Sequence, residues 1–217
     1  MRKTPRPFRF VTVHELKEML GRTAWDEREL LLGIEEVPPE SIRYHTHSYF
    51  LRGRHLVSPY PNDFATWAAV QVRDRVLGEQ LAVVDPFDYP DLEALRSEFV
   101  TIIDRHLASL QTVPRIVYGE PFHFMRSVVL EIPTEVEART LREFREALAH
   151  VEVGALYFHF FYAVARDRQD ANPVRWVEEE LGLPDLAAAI RHTSPYFKSL
   201  ERLRGELVAL CDRFLEA

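Results

Sequence analysis

Cysteine is almost missing. The 217 residues hold one, Cys211, so no intrachain disulfide can form and a reducing, cytoplasmic setting is the expectation. Glycine is scarce too, at eight residues. No glycine-rich phosphate loop, nucleophile elbow, His-Glu-x-x-His pair or paired-cysteine zinc pattern occurs, and no bound cofactor is expected. No apolar run reaches the ~18 residues of a membrane span. The opening Met1-Arg-Lys-Thr-Pro-Arg-Pro7 has none of the apolar segment that a secretory signal needs. Basic side chains are outnumbered by acidic ones, 27 against 34, for a formal charge of −7. That balance argues against nucleic acid or an anionic membrane as partner. Lysine is rare within the basic set (Lys3, Lys17, Lys198), and asparagine occurs twice, at Asn62 and Asn172. A heat-adapted host and a GC-rich genome explain this skew equally well.

What is present suits a folded globular chain: 47% hydrophobic and 28% charged residues, enough for one large domain or two small ones. The chain also reads as if written twice. Phe8-x-Phe10 returns as Phe122-x-Phe124. The same shift carries Glu29 to Glu143, Ile34 to Leu148, Val37 to Val151 and His45 to His159. After a short deletion Trp67 meets Trp176, and Leu92-Glu-Ala-Leu-Arg96 meets Leu200-Glu-Arg-Leu-Arg204. The order is kept and the shift changes in loops, where deletions are tolerated. A tandem duplication is expected, with one repeat over 1–110 and the other over 115–217, packed about an approximate two-fold axis.

Within a repeat, Phe8–Val13 and Phe122–Ile132 alternate and are rich in aromatic and β-branched residues, which predicts strands. Thr12-Val-His-Glu15 reads equally as a capping box, and Thr134-Glu-Val-Glu137 is taken as one that opens a helix to about His150. Asp26–Val37 has helical spacing and stops at Pro38-Pro39. Ser41–Leu51 and Ala155–Ala163 are aromatic-rich and fit helix slightly better than strand. Asp63 is placed to cap a helix carrying Trp67. Each repeat closes on a long helix with one apolar stripe: Leu92, Leu95, Phe99, Ile102 and His106, then Leu200, Leu203, Leu207, Leu210 and Phe214. The expected class is α+β, predominantly helical, with two repeats related by a pseudo-two-fold and short Phe-x-Phe strands near the centre.

Chemistry-bearing residues cluster in a few segments. His45-Thr-His47 would share a metal on a strand, with Asp63 as a third ligand. On a helix the two imidazoles point about 200° apart and do not chelate. Helix is the favoured reading, so no metal is expected, and His45 and His159 read first as packed, hydrogen-bonded core imidazoles. Asn62-Asp-Phe-Ala-Thr-Trp67 offers an amide, a carboxylate and an indole to a ligand, or simply a helix cap followed by a core tryptophan. Arg96 and Arg204 suit an anion clamp or an ion pair with Glu93 and Glu201. Cys211, on an apolar helix face, reads as core rather than nucleophile.

These motifs, with Leu77-Gly-Glu79, Phe122-His-Phe-Met-x-Ser127 and Leu156-Tyr-Phe-His159, carry a resemblance that covers nearly the whole chain. The sequence resembles a prokaryotic family of cytosolic proteins catalogued as a domain of unknown function. The resemblance implies no catalytic residue that can be carried over. The resemblance implies a second copy with its own Asn-Asp-Phe/Ser-x-x-Trp, whereas this chain reads Ala171-Asn-Pro-Val-Arg-Trp176. The leading expectation is a binding or regulatory module for a polar small molecule or a protein partner. Its ligand cleft would be lined from the first repeat by Tyr44, His45, His47, Asn62, Asp63 and Trp67. The later segments would add His123, Arg126, Tyr157 and His159. The alternatives are a metal-assisted hydrolase or transferase using His45, His47, Asp63 and His159, and a structural subunit of a complex.

Overall fold

Phe8 and Phe10 begin a strand that is much longer than their alternation suggests. In the computed structural model, which describes residues 3–52, 60–113, 115–116, 118–166, 168–193 and 199–216, β1 runs over Phe8–Ala24 and β2 over Phe122–Ala138. The two pair as a two-stranded antiparallel sheet. Thr12–Glu15 and Thr134–Glu137 are therefore strand, not helix starts. The capping boxes lie just beyond each strand. Asp26 accepts from the Glu29 amide and Glu29 from the Trp25 amide. Thr140 accepts from the Glu143 amide and Glu143 from the Arg139 amide. Both arrangements satisfy amides that a helix start leaves without partners.

The helices follow in the order α1 (Glu27–Glu36), α2 (Pro39–His45), α3 (Tyr49–Arg52), α4 (Asp63–Trp67), α5 (Arg75–Ala82) and α6 (Leu92–Ser109) before β2. After it come α7 (Leu141–His150), α8 (Val153–Tyr157), α9 (Ala163–Ala165), α10 (Pro173–Glu179), α11 (Pro184–Arg191) and α12 (Leu200–Glu216). Two π-helical turns, Ala68–Val72 and Phe158–Tyr162, extend α4 and α8. No helix among the described residues is long and apolar enough to cross a membrane.

The chain divides into two compact units, Glu15–Val128 and Met1–His14 with Val129–Ala217. Each strand changes unit partway along its length. In Glu15–Val128, Phe122 and Phe124 share a core with Leu30, Ile34, Phe64, Leu77 and Phe99. Gly33 of α1 is what lets the Phe124 ring lie on the helix backbone, since a Cβ there would overlap the ring. In the other unit Phe8 and Phe10 pack on Phe144 with ring centroids 5.4 and 5.7 Å away. An arginine closes each long-helix pairing. Arg96 of α6 donates to the carbonyls of Ile34 and Glu35 at the end of α1. Arg204 of α12 donates to those of Leu148 and Val151 at the end of α7. These carbonyls lack helical partners. The arginines thus cap helices while also pairing with Glu93 and Glu201.

Candidate functional site

His45 is the last residue of α2 and is 2% exposed. Its Nε2 accepts from the Met125 amide at 3.0 Å, which fixes the proton on Nδ1, and Nδ1 then donates to Asp63 Oδ2 at 2.7 Å. A neutral imidazole has one donor and one acceptor, and both are in use, so no ring lone pair is left for a metal. His159 has the same economy in the other unit. It accepts from the Val11 amide at 2.9 Å and donates to the Ala171 carbonyl at 2.8 Å. Burial holds His159 down to about 4, below the usual imidazole range. His47 is pushed down to about 4 by burial and by the nearby Arg43 charge. Its ring stands edge-on to Phe87 at 5.0 Å.

The cap of α4 is Asn62 rather than Asp63. Asn62 Oδ1 accepts from the Ala65 amide at 2.8 Å and its Nδ2 donates to the Leu81 carbonyl at 2.9 Å. That leaves the Asp63 carboxylate for His45. Asn62→Ala removes a cap and strands a buried carbonyl, a loss of about 2 kcal/mol. A urea titration should show it, and a loss below about 0.5 kcal/mol would refute the account.

Trp67 is buried and donates from Nε1 to the Glu120 carbonyl. Tyr44 and Tyr157 are buried as well, Tyr44 edge-on to His45 at 4.9 Å. His123 is exposed, and Arg126 pairs with Glu18 at 2.8 Å at the surface. The structure therefore brings His45 and Asp63 together as a hydrogen-bonded pair. It places most of the other candidates in the cores, with Tyr157 and His159 in a different unit from the rest. Cys211 is fully buried, and burial pushes its thiol up to about 12, as expected of an inert core cysteine.

A different group stands out by its chemistry. Glu27 is the first residue of α1 and is 0% exposed, yet no group donates a hydrogen bond to either carboxylate oxygen. Facing it are Asp74, the N-cap of α5, and His106 of α6. His106 Nε2 lies 2.8 Å from Asp74 Oδ2 and 3.8 Å from Glu27 Oε2. The three ligand atoms all fall within 4.8 Å of one another, a convergence found at no other His, Cys, Asp or Glu group among the described residues. Local backbone geometry aims Asp74. The π-helical turn ends at Arg73 with a left-handed φ of 68°, and the Asp74 amide returns to the Ala68 carbonyl. Asp74 Oδ1 caps the Leu77 amide while Oδ2 faces His106. Burial raises the Glu27 carboxyl to about 7, helped by the charge of Asp74, by the hydrogen bond its protonated form gives to Asp74, and by the charge of Asp26.

Residues 5–212 match the model of a family of unknown function, DUF5752. The chain belongs to that family. Among solved structures, this member is similar to OrfY from Thermoproteus tenax, with a TM-score of 0.80 and 26% identity over 100% of this chain and 99% of that one. No curated protein matches the sequence.

No local pattern in the sequence marks Glu27 or Asp74, and His106 reads as one more position on an apolar stripe. A signal was there. The shifts of the expected duplication set Glu27 against Leu141, Asp74 against Leu183 and His106 against Phe214. Each of the three polar residues faces an apolar counterpart.

Proposed function

We propose that this DUF5752 member is a binding module made of two copies of one helical unit, each lending the first part of its opening strand to the other. The binding centre lies in the Glu15–Val128 unit, at Glu27, Asp74 and His106.

Matched details support the duplication. His45 and His159 each accept a strand amide on Nε2. Arg96 and Arg204 cap the carbonyls of Ile34 and Leu148, which the alignment pairs. Arg73 and Gly182 share a φ of 68°. Each is followed by the same long return bond, Asp74 to Ala68 and Leu183 to Val177.

One observation carries the choice of centre: a carboxylate wholly removed from solvent, to which no group donates a hydrogen bond, at a position where the other unit has Leu141. Burying such a group costs several kcal/mol. The fold does not require it, because Leu141 and the half-buried Leu183 and Phe214 stand at the aligned positions. A group that a fold neither needs nor profits from is the mark of a functional site.

The triple variant E27L/D74L/H106F, which copies the second half, is the test. It should fold and, in the presence of chelator, melt about 5 °C higher than the parent. The lost Asp74 cap partly offsets the relief at Glu27, and Leu183 caps α11 without any side-chain bond. A fall in melting temperature would make the cluster a structural network and end the reading.

A further inference from the structure

We infer that Glu27, Asp74 and His106 hold a divalent first-row transition-metal ion, zinc being the best match to the donors. This rests on the binding centre proposed above and names its occupant.

The donors come from three separate helix positions: the first residue of α1, the N-cap of α5 and the interior of α6. They offer two carboxylate oxygens and one imidazole nitrogen. Zinc takes such donors at about 2.0–2.2 Å, which places neighbouring ligand atoms ~3.5 Å apart. The observed separations of 2.8 and 3.8 Å bracket that value, so small side-chain rotations close the site.

The unpartnered Glu27 carboxylate is the second, independent sign. It lies against the imidazole and carboxylate that would complete the shell, and no group donates a hydrogen bond to it. The nitrogen donor and the small cage disfavour calcium, which needs six to eight oxygens, and magnesium, which keeps most of its water.

The proton balance is simple. The Nε2 proton that now bridges His106 and Asp74 moves to Nδ1 in a neutral ring, or goes to solvent from a doubly protonated one; any proton on Glu27 goes to solvent, and the ion takes their place. Asp74 is 15% exposed at its side chain and gives the route in. Three protein ligands leave a fourth tetrahedral position for water or an anionic group.

The experiment uses the whole chain, stripped with chelator and dialysed, titrated with Zn2+ by calorimetry and with Co2+ by visible absorption. One ion per chain should bind, and Co2+ should give the intense d–d bands of a four-coordinate site. H106F and E27L should each weaken Zn2+ binding ~100-fold or more. E27L/D74L/H106F should take up none and lose the Zn2+-dependent rise in melting temperature.

Uptake that survives in the triple variant would belong to surface histidines and would overturn the inference. So would Mg2+ or Ca2+ binding in place of Zn2+. A triple variant that is stabilised, alongside a parent that takes no metal, would overturn the metal and leave the binding centre standing. A destabilised triple variant with no metal uptake by the parent would remove both.

Discussion

Glu27→Gln is expected to make the metal-free protein more stable by about 3 kcal/mol at pH 8 and to change almost nothing at pH 4.5. The folded-state carboxyl is raised to about 7 from its ordinary value of 4.5. Below pH 4.5 the group is protonated both folded and unfolded, and glutamine is then a near-isostere of the native side chain. Between pH 4.5 and 7 the unfolded chain gives up this proton while the folded chain keeps it. The wild type therefore loses stability as pH rises, at about 1.4 kcal/mol per pH unit. Above pH 7 both states are ionised and the penalty stays constant.

Asp74 and Asp26 both disfavour the Glu27 anion, and His106, 3.8 Å from it, is hydrogen-bonded to Asp74. The raw wild-type curve will not show this window cleanly. His47 and His159 are held down to about 4 from 6.5, so they remove stability as pH falls through the same range. The difference between variant and wild type isolates Glu27, because both histidines are unchanged. Urea midpoints from pH 4.5 to 8.5 in chelator give that difference. A pH-independent gap would mean that Glu27 is not a strained carboxylate. Added Zn2+ should reverse the sign above pH 7, since the ion turns an unpaired anion into a ligand.

Sequence reading located the parts that obey a period. Phe8 and Phe10, Phe122 and Phe124, and the stripes of α6 and α12 each bury one face, and burial of one face is what periodicity reports. The strands were read too short for the same reason. Around Leu16–Met19 and Leu130–Ile132 the ribbon is exposed on both faces, so no apolar alternation marks it. His-Glu-Leu-Lys-Glu-Met looks as helical as it does extended. Pairing between residues more than a hundred positions apart then overrides local preference.

The histidines fared better. His45 and His159 were read as hydrogen-bonded core residues, and both are. The cap of α4 was missed by one position because asparagine and aspartate both cap well, and only the place of His45 shows which of them is free to do so. Glu27, Asp74 and His106 lie 47 and 32 residues apart in order. No local motif joins them, and their meeting depends on how α1, α5 and α6 pack.

The largest single loss is expected at His159. His159→Ala should cost about 4 kcal/mol, combining a deleted core ring with two stranded backbone groups. The ring is fully buried and stands 4.8 Å from Phe8 and 5.5 Å from Phe10. It bridges the Val11 amide and the Ala171 carbonyl, so it joins β1 to the short helical turn Gln169–Ala171. Packing and bridging can be separated. His159→Phe refills the space but offers neither donor nor acceptor, and it should recover no more than half of the loss. Should the phenylalanine variant match the wild type, the two hydrogen bonds would be without consequence. The exposed His150, bonded only to the carbonyl of its own helix, supplies the control: His150→Ala should stay within about 0.5 kcal/mol of wild type. The bridge also predicts acid sensitivity. Protonating His159 destroys the Nε2 acceptor that Val11 requires, so its contribution is present above pH 6.5 and is lost as pH falls toward 4. His159→Phe lacks that term and should unfold less steeply with acid than the wild type.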